Sequence, residues 1–153
     1  MAERTDSKQA TARAEQMTSD EHAATLVVGA DEDPWTPDEL EEVRTELLSD
    51  ASRLREEISD TETEIAELLK SGVDGGGEDP ADTGTKAFER EHELSRAASH
   101  RETVLQIERA LQRIDNGTYG ICENCGNPIG KARLQAFPRA TMCVTCKQQQ
   151  ERR

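Results

Sequence analysis

Apolar residues recur along residues 40–68 at steps of three, four and seven: Leu40, Val43, Leu47, Ala51, Leu54, Ile58, Ile65 and Leu68, with Thr61 filling the gap between Ile58 and Ile65. Such spacing keeps a narrow stripe on one helix face, the seam of a coiled coil rather than the wide face of a globular helix. A second helical pattern runs from about Thr85 to Asp115. Its best stripe is Ala97, Val104, Ile107, Leu111 and Ile114, with Phe88 and Leu94 nearer its start. Glu91, His92 and Ser95 stand where an ideal seam has Leu, so pairing is expected to weaken there. Between the two stretches, residues 72–85 hold five of the ten glycines (Gly72, Gly75, Gly76, Gly77, Gly84) together with Pro80, which predicts a turn. Two helices of about equal length around one turn predict an antiparallel helical hairpin. The first helix, if it runs to Lys70, is about 50 Å long at 1.5 Å per residue.

Both outer ends of the hairpin carry stop and start signals. Thr36, Pro37, Asp38 and Glu39 form a capping box, with Pro37 at the first helical position and Trp35 and Leu40 placed as a hydrophobic staple. Asn116 and Gly117 supply a left-handed cap for the second helix. Residues 1–33 are rich in Ala, Thr, Ser and acids and have one short apolar patch, Leu26, Val27 and Val28, suited to docking; the rest of this arm is expected to be mobile. The predicted class is mostly α. Its parts are a flexible arm (1–33), a coiled-coil hairpin (34–116, tip loop 72–85), and a four-cysteine zinc finger with a C-terminal helix (117–153).

Charge is unevenly placed. The formal net charge is −13, yet residues 121–153 hold 2 acids against 6 bases while residues 1–120 hold 30 acids against 13 bases. An acidic body is repelled by the phosphate backbone, so direct DNA binding is disfavoured and a basic protein surface is the expected partner. With 33% charged and 3% aromatic residues, the chain cannot build a thick core. The N-terminus lacks the apolar run of a signal peptide, and no stretch approaches the roughly 18 apolar residues of a membrane span. These features predict a cytoplasmic protein that makes no membrane contact and acts as a monomer.

The cysteines carry the most specific chemistry. Cys122 and Cys125, then 17 intervening residues, then Cys143 and Cys146 fit the spacing of a structural zinc site. In a reducing compartment two CxxC pairs point to one Zn²⁺ rather than to disulfides, and a redox dithiol is the remaining alternative. Gly126 allows the tight turn that aims backbone amides at thiolates. Four thiolates on Zn²⁺ leave a charge near −2, which Lys131, Arg133, Arg139 and Lys147 are close enough in sequence to offset. A site closed by four cysteines has no open position for catalysis. No Ser-His-Asp set, P-loop or nucleotide loop is present, and His22, His92 and His100 are scattered, so no enzymatic activity is predicted.

A hairpin, an acidic DPxD turn, a GTYGIC lead-in, C-x2-C-G, the 17-residue gap, C-x2-C-K and a short basic tail together resemble the DksA/TraR family of RNA polymerase regulators over about residues 35–150. The resemblance implies a coiled coil beside a C-terminal zinc finger. It also implies binding in the polymerase secondary channel, with the tip near the active site, where initiation is modulated. The family tip motif, Asp-x-x-Asp-x-Ala, falls on Asp79 to Gly84: both acids, Asp79 and Asp82, match, and Gly84 stands in place of alanine. On their own these are ordinary turn residues; the resemblance gives them the functional role. Three positions used by the family at the polymerase interface fall on Gln106, Phe137 and Lys147. Only Lys147 keeps a charge, which predicts weak or no response to ppGpp, because a polyphosphate is held mainly by Arg and Lys. The competing function from the residues is a zinc-finger nucleic-acid binder, whose mark would be a steep salt dependence on bare DNA.

Overall fold

The computed structural model describes residues 19–74 and 79–153, with side chains from Asp20 to Lys70 and from Asp79 onward. The expected mobility of residues 1–18 and the expected turn at Gly75, Gly76 and Gly77 lie outside the described residues. Five helices follow in chain order: α1 (Ser19–Thr25), α2 (Pro37–Asp74), α3 (Pro80–Asn116), α4 (Lys131–Ala136) and α5 (Val144–Glu151). Among the described residues the only sheet-like pairing is one antiparallel bridge, Ile121 with Pro128. No described helix is long and apolar enough to cross a membrane. The chain divides into two compact units, residues 46–109 and the segments on either side of them.

Within residues 46–109 the predicted seam is present. Leu47, Ala51, Leu54 and Thr61 of α2 and Ala97, Val104 and Ile107 of α3 are buried. Ion pairs along one rim fix the register: Arg55 bonds Glu108 at 3.0 Å, and Arg101 pairs with Glu62. Seven residues forward on α2 correspond to seven residues back on α3, as antiparallel packing of two straight helices requires.

The tip half differs. Thr61 and Ala97 are the last buried positions toward the tip among the described residues. Ile65 and Leu68 are half-buried, Leu94 is exposed, and Phe88, expected near the seam, is 72% exposed. Phe88 lies nine residues, two and a half turns, before the buried Ala97, so it points away from α2. Glu64 and Glu67 of α2 and Glu89 and Glu93 of α3 line one cleft around Leu68. Like charges facing each other across a helix pair weaken it. Amide hydrogen exchange is therefore expected to show protection falling beyond Thr61 and Ala97 toward the tip. Equal protection along both helices would contradict this.

Helix persists further into the tip than the sequence suggested. The α2 helix continues through residues 72–74, and α3 begins at Pro80 rather than Thr85. Asp79 caps α3: its Oδ1 accepts from the amide of Ala81 at 3.3 Å, and its carbonyl accepts from the amide of Thr83 at 3.1 Å. Pro80 then occupies the first helical position, where a missing N–H costs nothing. Aspartate and proline start a helix here instead of bending a loop.

In the other unit, the capping box forms as predicted. The Thr36 amide donates to Glu39 Oε2 at 3.0 Å and the Glu39 amide donates to Thr36 Oγ1 at 3.2 Å. Trp35 and Leu40 are both buried. Residues 19–33 fold onto this unit, and the apolar patch suited to docking makes part of the contact. Ala23 and Leu26 are buried, His22 Nε2 lies 2.7 Å from the Ile114 carbonyl, and Val27 packs on Gly120. At Gly120 the left-handed backbone (φ +93°) would strain any side chain, and a Cβ would also crowd Leu134 at 3.2 Å and the Val27 carbonyl at 3.4 Å.

Candidate metal centre and hairpin tip

After Ile114 the chain leaves α3 through Gly117 (φ +75°), whose amide donates to the Ile114 carbonyl while the Thr118 and Tyr119 amides donate to that of Arg113. This left-handed exit aims Tyr119 inward. Its ring stacks obliquely on Trp35, 6.0 Å between centroids, and its hydroxyl donates to the Pro138 carbonyl at 2.8 Å. The Cys122 amide closes the first cysteine loop on the Asn127 carbonyl, and the Glu123 amide joins that loop to the second by donating to the Thr141 carbonyl.

The result is a four-sulfur cluster. The Sγ atoms of Cys122, Cys125, Cys143 and Cys146 all lie within 4.8 Å of one another, and Cys125 and Cys143 are 3.8 Å apart. A tetrahedron of Zn–S bonds near 2.3 Å has edges of about 3.8 Å, so the donor set fits one zinc ion. Gly126 (φ +76°) forms the predicted tight turn, its amide donating to the Cys122 carbonyl at 3.0 Å. The Cys143 amide reaches Cys122 Sγ at 3.4 Å and Asn124 Nδ2 reaches Cys146 Sγ at 3.3 Å.

These contacts divide the thiols. Burial opposes ionisation of Cys122, but the amides of Cys125, Cys143 and Asn124 outweigh it and bring its pKa down to about 6. At Cys146 the Asn124 side chain favours the thiolate, yet neighbouring Cys143, burial, Cys125 and Cys122 push it up to about 12. Four adjacent thiols cannot all lose their protons without a cation between them, and a bound divalent ion deprotonates such ligands outright. The chemistry of the cluster therefore calls for a metal.

Of the four bases expected to offset the zinc charge, Lys131 has a different role. It is 9% exposed, its Nζ lies 2.6 Å from Glu39 Oε2, and it sits 5.6 Å from the centre of the Trp35 ring. It ties the start of α4 to the start of α2. Arg133 donates to the Met142 carbonyl at 3.2 Å and lies over the Phe137 ring. Lys147 is exposed, with its Nζ 3.9 Å from Glu151.

Glu32 was not singled out by sequence because it fell in the expected mobile arm. Its carboxylate accepts from the amides of Lys131 (2.8 Å), Ala132 (2.9 Å) and Gly29 (2.8 Å). The amides of Ala132 and Lys131 hold its pKa below the ordinary 4.5, and Lys131 with the Thr36 amide does the same for Glu39. A depressed folded-state pKa gives stability that is full above the ordinary value and lost as pH falls through the folded one. Glu32→Gln is expected to lose less than about 1 kcal/mol at neutral pH, a modest figure because the group is half-exposed. The gap to the parent, read from urea midpoints at saturating zinc, should narrow as pH drops below about 4.5. A gap constant with pH would refute this assignment.

At the tip, Asp79 and Asp82 are exposed one helical turn apart at the start of α3. Gly84 lies inside α3 rather than in a loop, and a Cβ added there would meet nothing within 4 Å. Alanine is thus sterically free at this position and would favour the helix over glycine.

Fold and site together define a helical hairpin protein with a C4 zinc finger. Residues 117–152 match the family described as prokaryotic dksA/traR C4-type zinc finger. An RNA polymerase-binding transcription factor DksA from Caulobacter vibrioides is 32% identical over 125 residues, covering 81% of this chain and 84% of that protein. The protein of that name from Escherichia coli K12 is 31% identical over 96 residues, 63% of this chain and 60% of its own. The structure of transcription factor DksA2 from Pseudomonas aeruginosa superposes with a TM-score of 0.62 at 25% identity, covering 94% of this chain and 96% of that one. The chain belongs to the DksA/TraR family.

Proposed function

We propose that this protein is a transcription regulator that binds RNA polymerase and inserts the hairpin tip into the secondary channel to modulate initiation. The observation carrying this reading is the similarity to the Caulobacter polymerase-binding factor, which covers 81% of the chain and so extends well beyond the finger. A nucleic-acid binder would need only residues 117–153 and would leave the hairpin without a role.

The parts divide the work. Zinc folds the finger and is structural, since four sulfur donors leave no open coordination position. The hairpin is a rod that carries Asp79, Asp82 and Gly84 to a site closed to a globular surface. Acids along the rod favour approach to a basic channel. Lys147 is the one charged residue retained of three interface positions; Gln106 is neutral and Phe137 is an exposed ring.

Two measurements test this reading. Core RNA polymerase is expected to co-elute with the protein, and a photocrosslinker placed at residue 83 is expected to label the polymerase; failure of co-elution overturns the proposal. Added ppGpp is expected to change the effect on initiation little or not at all, since of the three interface positions only Lys147 carries a charge for a polyphosphate. A clear ppGpp-dependent gain would overturn that part alone.

A further inference from the structure

Two of the chain's four aromatic residues, Trp35 and Tyr119, are buried, whereas Phe88 is the most exposed large apolar side chain described. A lone exposed ring is unremarkable by itself, but the surroundings of Phe88 are not random. Ala81, Gly84 and Thr85 precede it by seven, four and three residues, which places all four on one face of α3. The Thr85 hydroxyl donates to the Ala81 carbonyl at 3.0 Å, so its proton is turned to the helix backbone rather than to a partner. Gly84 leaves the backbone beside the ring uncovered, with nothing within 4 Å of where a Cβ would stand.

Around α3 this face is opposite the buried Ala97, so the hairpin itself cannot cover it. Its boundaries are polar. Asp79 and Asp82 stand at the tip, and Glu91 and His92 close the other end, all exposed. A flat apolar strip about two turns long, ending in a large ring and continuous with the tip motif, has the form of a contact surface with one anchoring side chain.

We propose that the face of α3 formed by Ala81, Gly84, Thr85 and Phe88 seats against an apolar part of RNA polymerase, with Phe88 as the anchor that sets affinity while the neighbouring acids act on initiation. This inference rests on the functional reading above and names the surface used. A second copy of this chain is a poorer occupant. Self-pairing through this face would bring Asp79, Asp82, Glu89 and Glu91 of two copies together, and like charges in an interface repel.

The test compares the full-length zinc-loaded protein with Phe88→Ala and Phe88→Leu. Both variants should keep zinc content and helical signal, since Phe88 is largely exposed. Phe88→Ala is expected to bind core RNA polymerase at least about tenfold more weakly, the loss of one anchoring aromatic. At saturating concentration it should still produce the parent's full effect on initiation, and Phe88→Leu should regain much of the affinity. Equal affinity of Phe88→Ala and parent would overturn the inference and leave the function standing. An unchanged affinity with a lost effect would also overturn it, by placing the ring in the regulatory step. A parent dimer that Phe88→Ala converts to monomer would assign the face to self-association instead. If the parent itself does not bind polymerase, the functional reading falls, and this surface with it.

Discussion

Chelating the zinc is expected to unfold residues 117–153 while much of the helix in residues 46–109 persists. The finger has almost nothing else to hold it. Its helices are 6 and 8 residues long, too short to stand alone in water, and its one described backbone bridge joins Ile121 to Pro128. Structural zinc supplies apparent binding energies of about 10–16 kcal/mol in small zinc domains, as much as or more than the whole stability of an ordinary domain. Without the cation the site is also self-opposed, since neighbouring thiols and burial drive Cys146 up to about 12. Trp35 reports the event: it stacks on Tyr119 and beneath Lys131, both of which belong to the segment that melts. Its fluorescence should shift to the red as zinc leaves, together with partial loss of far-UV signal. Cys143→Ser should do the same without a chelator. Unchanged spectra after verified loss of the metal would refute the structural role.

Much of the architecture was legible because its causes are local. A stripe with steps of three and four from Leu40 to Leu54 can only bury itself as a helix seam, and its positions Leu40, Val43, Leu47, Ala51 and Leu54 are all buried. The capping box and the two CxxC pairs each specify their own geometry within a few residues. What was missed depends on distant partners. Glu32 has no local signal, because its three amide donors include Lys131 and Ala132, 99 and 100 residues away. The nearness of Lys131 to the cysteines in sequence predicts a counter-charge for zinc, yet it is used by Glu39 and Trp35 from the far end of the chain. At the tip the glycine count overrode a cap that was present in the residues: aspartate followed by proline starts α3 at Pro80. Phe88 looked like seam by type. Its phase relative to Ala97 and Val104 puts it on the outside, and phase decides burial.

The Asp79 cap also sharpens the test of the tip. Replacing both acids, Asp79→Asn with Asp82→Asn, is expected to abolish the effect on initiation while leaving polymerase binding close to that of the parent. Asparagine caps a helix about as well as aspartate, so the bond to the Ala81 amide and the start of α3 should survive. Only the two negative charges are removed. Hydrogen bonds to charged groups contribute about 1.5–3 kcal/mol each, so losing two charges should weaken the effect by at least about tenfold. Asp79→Ala supplies the control, since it removes cap and charge together and should lower helicity at the tip, where the seam is already weak. If the double Asn variant binds polymerase and regulates as the parent does, the carboxylates are turn and cap residues only, and the action must lie elsewhere on the rod. If it fails to bind, the acids are anchors rather than effectors, and the division of labour with Phe88 is reversed.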